Sequence, residues 1–124
     1  MIEKFEVICL WAEDVPKTAH FYKDVLGLKL LSHHHGGRPT FEVGDAYLTI
    51  LEGKPHPAEE SVPDRFPLFA FRIQDLDAAV KRLQAHGVEL PWGVEEQHGL
   101  RWVMFHDPAG NLIELTEGVK VILT

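Results

Sequence analysis

Only a few side chains in this sequence combine a reactive chemical type with apolar neighbours. A carboxylate such as Glu114 and an imidazole such as His106 can act as general acid and base near neutral pH. A thiol such as Cys9 can act as a nucleophile when a histidine activates it. No histidine accompanies Cys9 on its predicted strand, so we expect it to be a small buried hydrophobic residue instead.

Each of the other candidates has a structural alternative. Glu114 can pair with Arg72, because a buried carboxylate requires a partner. His106 can be a hydrogen-bonded residue at the end of a strand. The histidine run at 33–35 suggests a metal site by composition only, since adjacent residues do not converge easily on one ion. We expect a solvated loop there, with closure over a ligand as the alternative.

The elements that must position these residues occur twice along the chain. Residues 5–11 are rich in β-branched and aromatic side chains and predict a strand. Asp14 then predicts a helix N-cap, and apolar residues follow at helical spacing until Gly27. Shorter strands are predicted near 29–32, 40–43 and 46–52. The first half is therefore predicted to be a βαβββ module.

The second half repeats this order. Residues 68–73 predict a strand, Asp75 a helix cap and Gly87 the end of the helix. Strands are predicted near 88–89, 100–106 and 112–117, and the loop between the first two of these carries Trp92. Trp92 either covers a cavity mouth or packs its loop down. Glu95 and Glu96 are expected to be solvated surface residues.

The ends of the two modules also match as text, since LTILEG at 48–53 parallels IELTEG at 113–118. The segment 54–66 between them is too rich in proline for a strand and predicts a linker. The sequence therefore predicts an α+β fold in one domain, 1–124. It consists of two βαβββ modules, at about 1–53 and 67–118.

Composition limits the partners of this domain. The chain has 124 residues, a formal net charge of −7 and one cysteine. The acidic balance argues against nucleic-acid binding. It either favours a cationic ligand or serves only to keep the surface soluble, which is the commoner role of such charge. The polar N-terminus and the lack of a long apolar run argue against a signal peptide and a membrane span, so we expect a cytoplasmic protein.

Two motifs identify a family resemblance that covers nearly the whole chain. Asp14 is followed by FYKDVLG at 21–27, and DPAGN at 107–111 is followed by IEL at 113–115. The chain thereby resembles the vicinal oxygen chelate superfamily of glyoxalases, extradiol dioxygenases, fosfomycin-resistance enzymes and bleomycin-resistance proteins. The resemblance implies that two curled sheets form a cup-shaped cavity, often in a homodimer.

The resemblance also implies four positions at which metal-using members place ligands, on the first and last strands of each module. Here these positions are Val7, Thr49, Leu68 and Glu114. Valine and leucine have no donor atom, a threonine hydroxyl is a weak ligand, and one glutamate does not hold an ion by itself. We therefore expect no metal and no cofactor.

Strand alternation predicts which residues share a face with those four positions. This face is apolar and aromatic with few polar groups, which is typical of a ligand cavity. The expected ligand-binding residues are Val7, Cys9, Trp11, Tyr47, Thr49, Leu68, Arg72, Trp102, Met104, His106 and Glu114. Trp11, Trp102 and Met104 can equally be packing residues of the core or of a dimer interface.

The function expected first is binding or sequestration of a cationic or aromatic small molecule, of the bleomycin-resistance and antibiotic-resistance type. The alternatives are a metal-dependent lyase or dioxygenase of the same superfamily, and a metal-free isomerase that uses His106 and Glu114. His106 and Glu114 are the only two candidates that we consider for a catalytic role. We expect a homodimer with no nucleic-acid or membrane partner.

Overall fold

The computed structural model describes residues 1–31, 38–54 and 68–117. The histidine run 33–35 and residues 55–66 of the predicted linker lie outside these ranges. No helix within the described ranges has the length and apolar character that a bilayer span requires.

The first repeat forms a four-stranded mixed sheet beside a helix. Strand β1 (Val7–Ala12) leads to helix α1 (Val15–His20), which continues as a π-helical turn over Phe21–Val25. Strands β2 (Lys29–Leu31), β3 (Thr40–Val43) and β4 (Ala46–Glu52) follow. The strand order is β1-β4-β3-β2, with β1 parallel to β4.

The second repeat has the same order of elements. It comprises β5 (Phe69–Ile73), helix α2 (Leu76–Ala85), β6 (Val94–Gln97), β7 (Leu100–His106) and β8 (Leu112–Glu117). The strand order is β5-β8-β7-β6, with β5 parallel to β8. The predicted α+β fold of two βαβββ modules is confirmed.

Both helices begin at the aspartates that the sequence predicts. The Lys17 backbone N–H donates to Asp14 Oδ1 at 3.1 Å, and the Ala78 N–H donates to Asp75 Oδ1 at 3.0 Å. Each carboxylate thus satisfies one backbone donor that the first helical turn leaves without a partner.

The predicted strand at 88–89 is wrong, and β6 lies six residues later. Gly87 adopts a positive φ of 74°, and the Val88 N–H donates to the Leu83 carbonyl at 3.0 Å. Val88 therefore closes the C-terminus of α2 instead of starting a strand.

Alternating strand residues build a core on one face of each sheet. In the second repeat the fully buried side chains on this face are Val103, Phe105 and Ile113, and Leu76 and Leu83 of α2 are buried as well. The corresponding buried strand residues of the first repeat include Phe41, Leu48 and Ile50. The chain divides into two compact units, one for each repeat, and the turn Asp107–Asn111 groups with the first.

A buried polar network anchors this turn. The hydroxyl of fully buried Tyr22 donates to Asp107 Oδ2 at 2.8 Å. Asp107 Oδ1 accepts the backbone N–H groups of Ala109 and Asn111, each at 2.9 Å. The Asn111 side-chain amide donates to Asp107 Oδ2 at 2.9 Å and to the Trp11 carbonyl at 3.2 Å. Burial, then the charge of Asp107 and its hydrogen bond, raises the pKa of Tyr22, so this phenol stays protonated.

Candidate functional site

The second sheet has an open face opposite α2, and predicted site residues lie on it. Trp102 and Met104 of β7 and Glu114 of β8 are half-buried, whereas the intervening Val103 and Phe105 are buried on the helix side. Paired residues of neighbouring strands share a face, and Met104 pairs with Glu114. The predicted alternation of β7 is thus present in the structure.

A second carboxylate, which the sequence interpretation missed, joins this face. Glu95 of β6 pairs with Trp102 of β7, so its side chain lies on the same face as Trp102 and Glu114. Its Oε1 atom is enclosed and has no hydrogen-bond partner among the described residues. The expectation that Glu95 is a solvated surface residue is therefore wrong. Its neighbour Glu96 is exposed.

The two carboxylates influence each other electrostatically. Partial burial, followed by the negative charge of Glu95, raises the pKa of Glu114 above its ordinary value. Both effects disfavour the ionised form of Glu114. The surroundings of Glu114 on this face therefore destabilise the negative charge of its carboxylate.

Two arginines of the second repeat, Arg72 and Arg101, do not form an ion pair with Glu114. Within the described part of the chain no ion pair joins Arg72 to Glu114, and Arg72 is exposed. Arg101 instead donates to Asp77 at 2.9 Å and lies 3.4 Å from Glu117, on the helix side of the sheet. The Glu114–Arg72 pair, one of the two alternatives considered above, is absent.

His106 lies at the end of β7 with an exposed side chain. Its ring centroid is 6.0 Å from that of half-exposed Trp92, with the ring planes tilted by 47°. No hydrogen bond to the His106 side chain occurs among the residues described. His106 pairs with Leu112 of β8, and Glu114 lies two residues after Leu112 on the same strand face. The His106 imidazole and the Glu114 carboxylate are therefore diagonal neighbours on one face of the sheet.

The open face of the first sheet carries the remaining predicted residues. Val7, Cys9 and Trp11 of β1 are exposed, as is Tyr47 of β4. The expectation that Cys9 is buried is therefore wrong, because the helix of this repeat covers only the opposite face. Leu68, just before β5, is exposed in the second unit.

Trp11 is held in a defined position although half of its surface is exposed. Its indole covers Gly53, where a Cβ atom would lie only 2.6 Å from Trp11 Cε3. The Trp11 backbone carbonyl accepts the Asn111 amide described above. Gly53 thus allows a close approach that a larger residue would prevent.

The four positions implied for a metal do not provide a suitable donor set. Val7 and Leu68 have no donor atom, and the Thr49 hydroxyl donates to the Pro39 carbonyl at 3.1 Å. Across the described ranges, no three His, Cys, Asp or Glu side chains are grouped to hold an ion. Glu114 alone does not meet the three protein ligands that catalytic zinc sites use.

A recess of about 440 Å³ lies at the start of α1 in the first repeat. None of its lining residues belongs to the predicted site; they are Glu13, Asp14, Val15, Pro16 and Glu52. Asp14 already accepts a hydrogen bond from the helix N-terminus. The recess is therefore acidic and part of the helix-capping region.

Several known proteins are similar to this chain over most of its length. The Escherichia coli (strain K12) protein YaeR, described as uncharacterized, is 33% identical over 119 residues, which is 89% of this chain and 92% of that protein. The structure of TnmS3, an antibiotic binding protein from a Streptomyces species, has a TM-score of 0.75 and 26% identity over 95% of this chain and 98% of that one. The fosfomycin resistance protein FosX from Mesorhizobium loti has a TM-score of 0.74 and 21% identity, over 97% and 96% of the two chains.

A family model extends this likeness along the chain. It matches residues 4–115, and its description is Glyoxalase/Bleomycin resistance protein/Dioxygenase superfamily. The match spans both repeats and includes Trp102, Met104 and Glu114. The chain belongs to the glyoxalase/bleomycin resistance protein/dioxygenase superfamily.

Proposed function

We propose that this protein binds and sequesters an aromatic or cationic small molecule on the open face of its second sheet, without a metal ion. The observation that carries this proposal is the composition of that face. Trp102 and Met104 supply apolar area beside two carboxylates, and exposed Leu100 and Leu112 extend the apolar surface. Ligand sites commonly combine apolar walls with a few polar groups that set orientation.

The chemistry of the occupant follows from charge. The chain has a formal net charge of −7, and two of its carboxylates lie on this face. An organic ligand that combines an aromatic body with a positive charge complements both features. The likeness to TnmS3, an antibiotic binding protein, favours a compound of the antibiotic type. The proposal also includes a homodimer and contacts between the ligand and the predicted site residues of the first sheet.

Equilibrium binding to chelator-treated protein tests this function. The panel comprises cationic glycopeptides and planar aromatic antibiotics, measured by calorimetry. Trp102→Leu should weaken binding about tenfold, because aromatic contacts are worth about 1 kcal/mol or more beyond their area. Val94→Ala is the matched control, since Val94 is an exposed apolar residue on the other face of the same sheet.

Two results would reject the proposal. One is the failure of every compound to bind more tightly than the millimolar range. The other is binding that requires stoichiometric nickel, zinc, manganese or iron, which would favour the metal-dependent lyase or dioxygenase.

A metal-free isomerase is the second candidate. It is favoured by the diagonal placement of His106 and Glu114 on one face, together with the raised pKa of Glu114. His106→Ala should then abolish turnover of a bound substrate while its affinity is retained. Equal loss of turnover and affinity would instead indicate a contact residue.

A further inference from the structure

Two carboxylates lie on either side of β7 on the open face of the second sheet. Glu95 belongs to β6 and pairs with Trp102, whereas Glu114 belongs to β8 and pairs with Met104. Neighbouring strands are about 4.8 Å apart and each strand residue rises about 3.4 Å, so the two staggered glutamate backbones are separated by roughly 12 Å. Trp102 and Met104 therefore form the floor between the two acidic side chains.

Within the described ranges, no ion pair joins either carboxylate to Arg72 or Arg101. The enclosed Oε1 of Glu95 has no hydrogen-bond partner in the described ranges, although buried polar atoms are nearly always paired. Arg101, the cation on β7, points to the helix side and is engaged by Asp77 and Glu117. An enclosed, unpaired acceptor beside a second carboxylate is costly, and a positive charge bound next to the two groups offsets that cost.

We propose that Glu95, Glu114 and Trp102 form the subsite for the positively charged group of the ligand, a protonated amine or an amidine. This inference rests on the proposed function and specifies which residues recognise the charge. The cation lies between the Glu95 and Glu114 carboxylates and against the Trp102 indole, which attracts it through the ring quadrupole. The apolar body of the ligand then covers Met104.

An organic cation fits this arrangement better than a metal ion does. A divalent ion requires several donors within about 2.0–2.6 Å of one point. The second sheet offers two carboxylates from strands on opposite sides of β7, and no third grouped ligand occurs in the described residues. An ammonium or amidinium group bears several N–H donors at its periphery and can therefore bridge more widely spaced oxygens.

A pair of matched probes tests the inference. We would titrate 1-naphthylmethylamine, which is protonated at neutral pH, and its neutral counterpart 1-naphthylmethanol. The amine should bind about tenfold more tightly, because hydrogen bonds to charged groups exceed neutral ones. Glu95→Gln and Glu114→Gln should each remove most of this preference and leave the affinity of the alcohol unchanged.

Glu96→Gln is the matched control. It removes the same charge from the same strand, but Glu96 is exposed and pairs with Arg101 on the helix side. This variant should retain the full preference for the amine. Reduction of the preference by Glu96→Gln to the same extent would show that net charge, and not the subsite, selects the cation, and would overturn the inference.

The remaining outcomes separate this inference from the proposed function. Equal binding of amine and alcohol, unaffected by either glutamine variant, overturns the cation subsite and leaves the binding function in place. Binding of neither probe, nor of any compound in the panel above, overturns both. Displacement of the amine by micromolar manganese or nickel would assign the carboxylates to a metal and also overturn the inference.

Discussion

Replacement of Tyr22 by phenylalanine isolates one hydrogen bond of the buried network in the first unit. The Tyr22 hydroxyl is fully buried and donates to Asp107 Oδ2 at 2.8 Å. Phenylalanine preserves the ring and its packing but removes the donor from a buried acceptor. A hydrogen bond to a charged group is worth about 1.5–3 kcal/mol, so we expect the free energy of unfolding to fall by that amount.

The same substitution changes the response of stability to alkaline pH. Because the pKa of Tyr22 is raised in the folded protein, the phenol ionises first in the unfolded chain, near its ordinary value of about 10. Its stabilising contribution is therefore complete below that pH and is lost above it, by about 1.4 kcal/mol per pH unit. The difference between the wild type and Tyr22→Phe should accordingly shrink as the pH rises beyond 10.

Urea unfolding at several pH values measures both effects. The midpoint should fall while the dependence on urea stays constant, since the substitution leaves the folded surface unchanged. Tyr47→Phe is the control, because the Tyr47 side chain is exposed, and it should change stability by less than about 0.5 kcal/mol. A loss no larger for Tyr22→Phe than for Tyr47→Phe would refute the role of the network.

Three further substitutions test the cap of α2, the position of the Trp11 indole and the charge of Glu114. Asp75→Ala removes the cap of α2 and should lower the free energy of unfolding by about 1 kcal/mol in the same urea assay. Gly53→Ala should displace the Trp11 indole, which lies where the new Cβ would be. The indole N–H resonance of Trp11 should therefore shift in NMR spectra. Glu114→Gln should raise stability at neutral pH by less than about 1 kcal/mol, because the raised pKa disfavours the ionised carboxylate. That gain should disappear as the pH falls below the ordinary glutamate pKa of about 4.3, where the unfolded chain is protonated as well.

The repeated architecture could be predicted because local chemistry determines it. Asp14 and Asp75 cap their helices as expected, since an aspartate side chain satisfies the backbone N–H groups of a first helical turn. The bounds of β7 and β8 coincide with the predicted strands because alternation and the turn between them are both legible in the sequence.

The position of β6 could not be predicted, and an error in the site followed from it. Val88 has the side chain of a strand residue, but its N–H closes the preceding helix. With β6 placed at 88–89, the register that brings Glu95 beside Trp102 is lost. Glu95 then looks like one of many surface carboxylates, although its Oε1 is enclosed.

Contacts between distant residues were equally inaccessible. Tyr22 and Asp107 are 85 positions apart, and only the fold brings the phenol to the carboxylate. The exposure of Cys9 depends on which sheet face the helix covers, whereas its residue type favours burial. Both the Tyr22–Asp107 hydrogen bond and the exposure of Cys9 therefore depend on tertiary structure, which local sequence does not reveal.

NMR titration of chelator-treated protein with 1-naphthylmethylamine tests whether the open face of the second sheet binds an organic cation without a metal. Labels on the Trp102 indole, the Met104 methyl and the Val94 methyl report the two faces of the second sheet. We expect saturable shifts of the Trp102 and Met104 signals and an unchanged Val94 signal. Shifts that occur only after a divalent metal is added, or no saturable shift at Trp102 and Met104, would contradict metal-free recognition of a cation on this face.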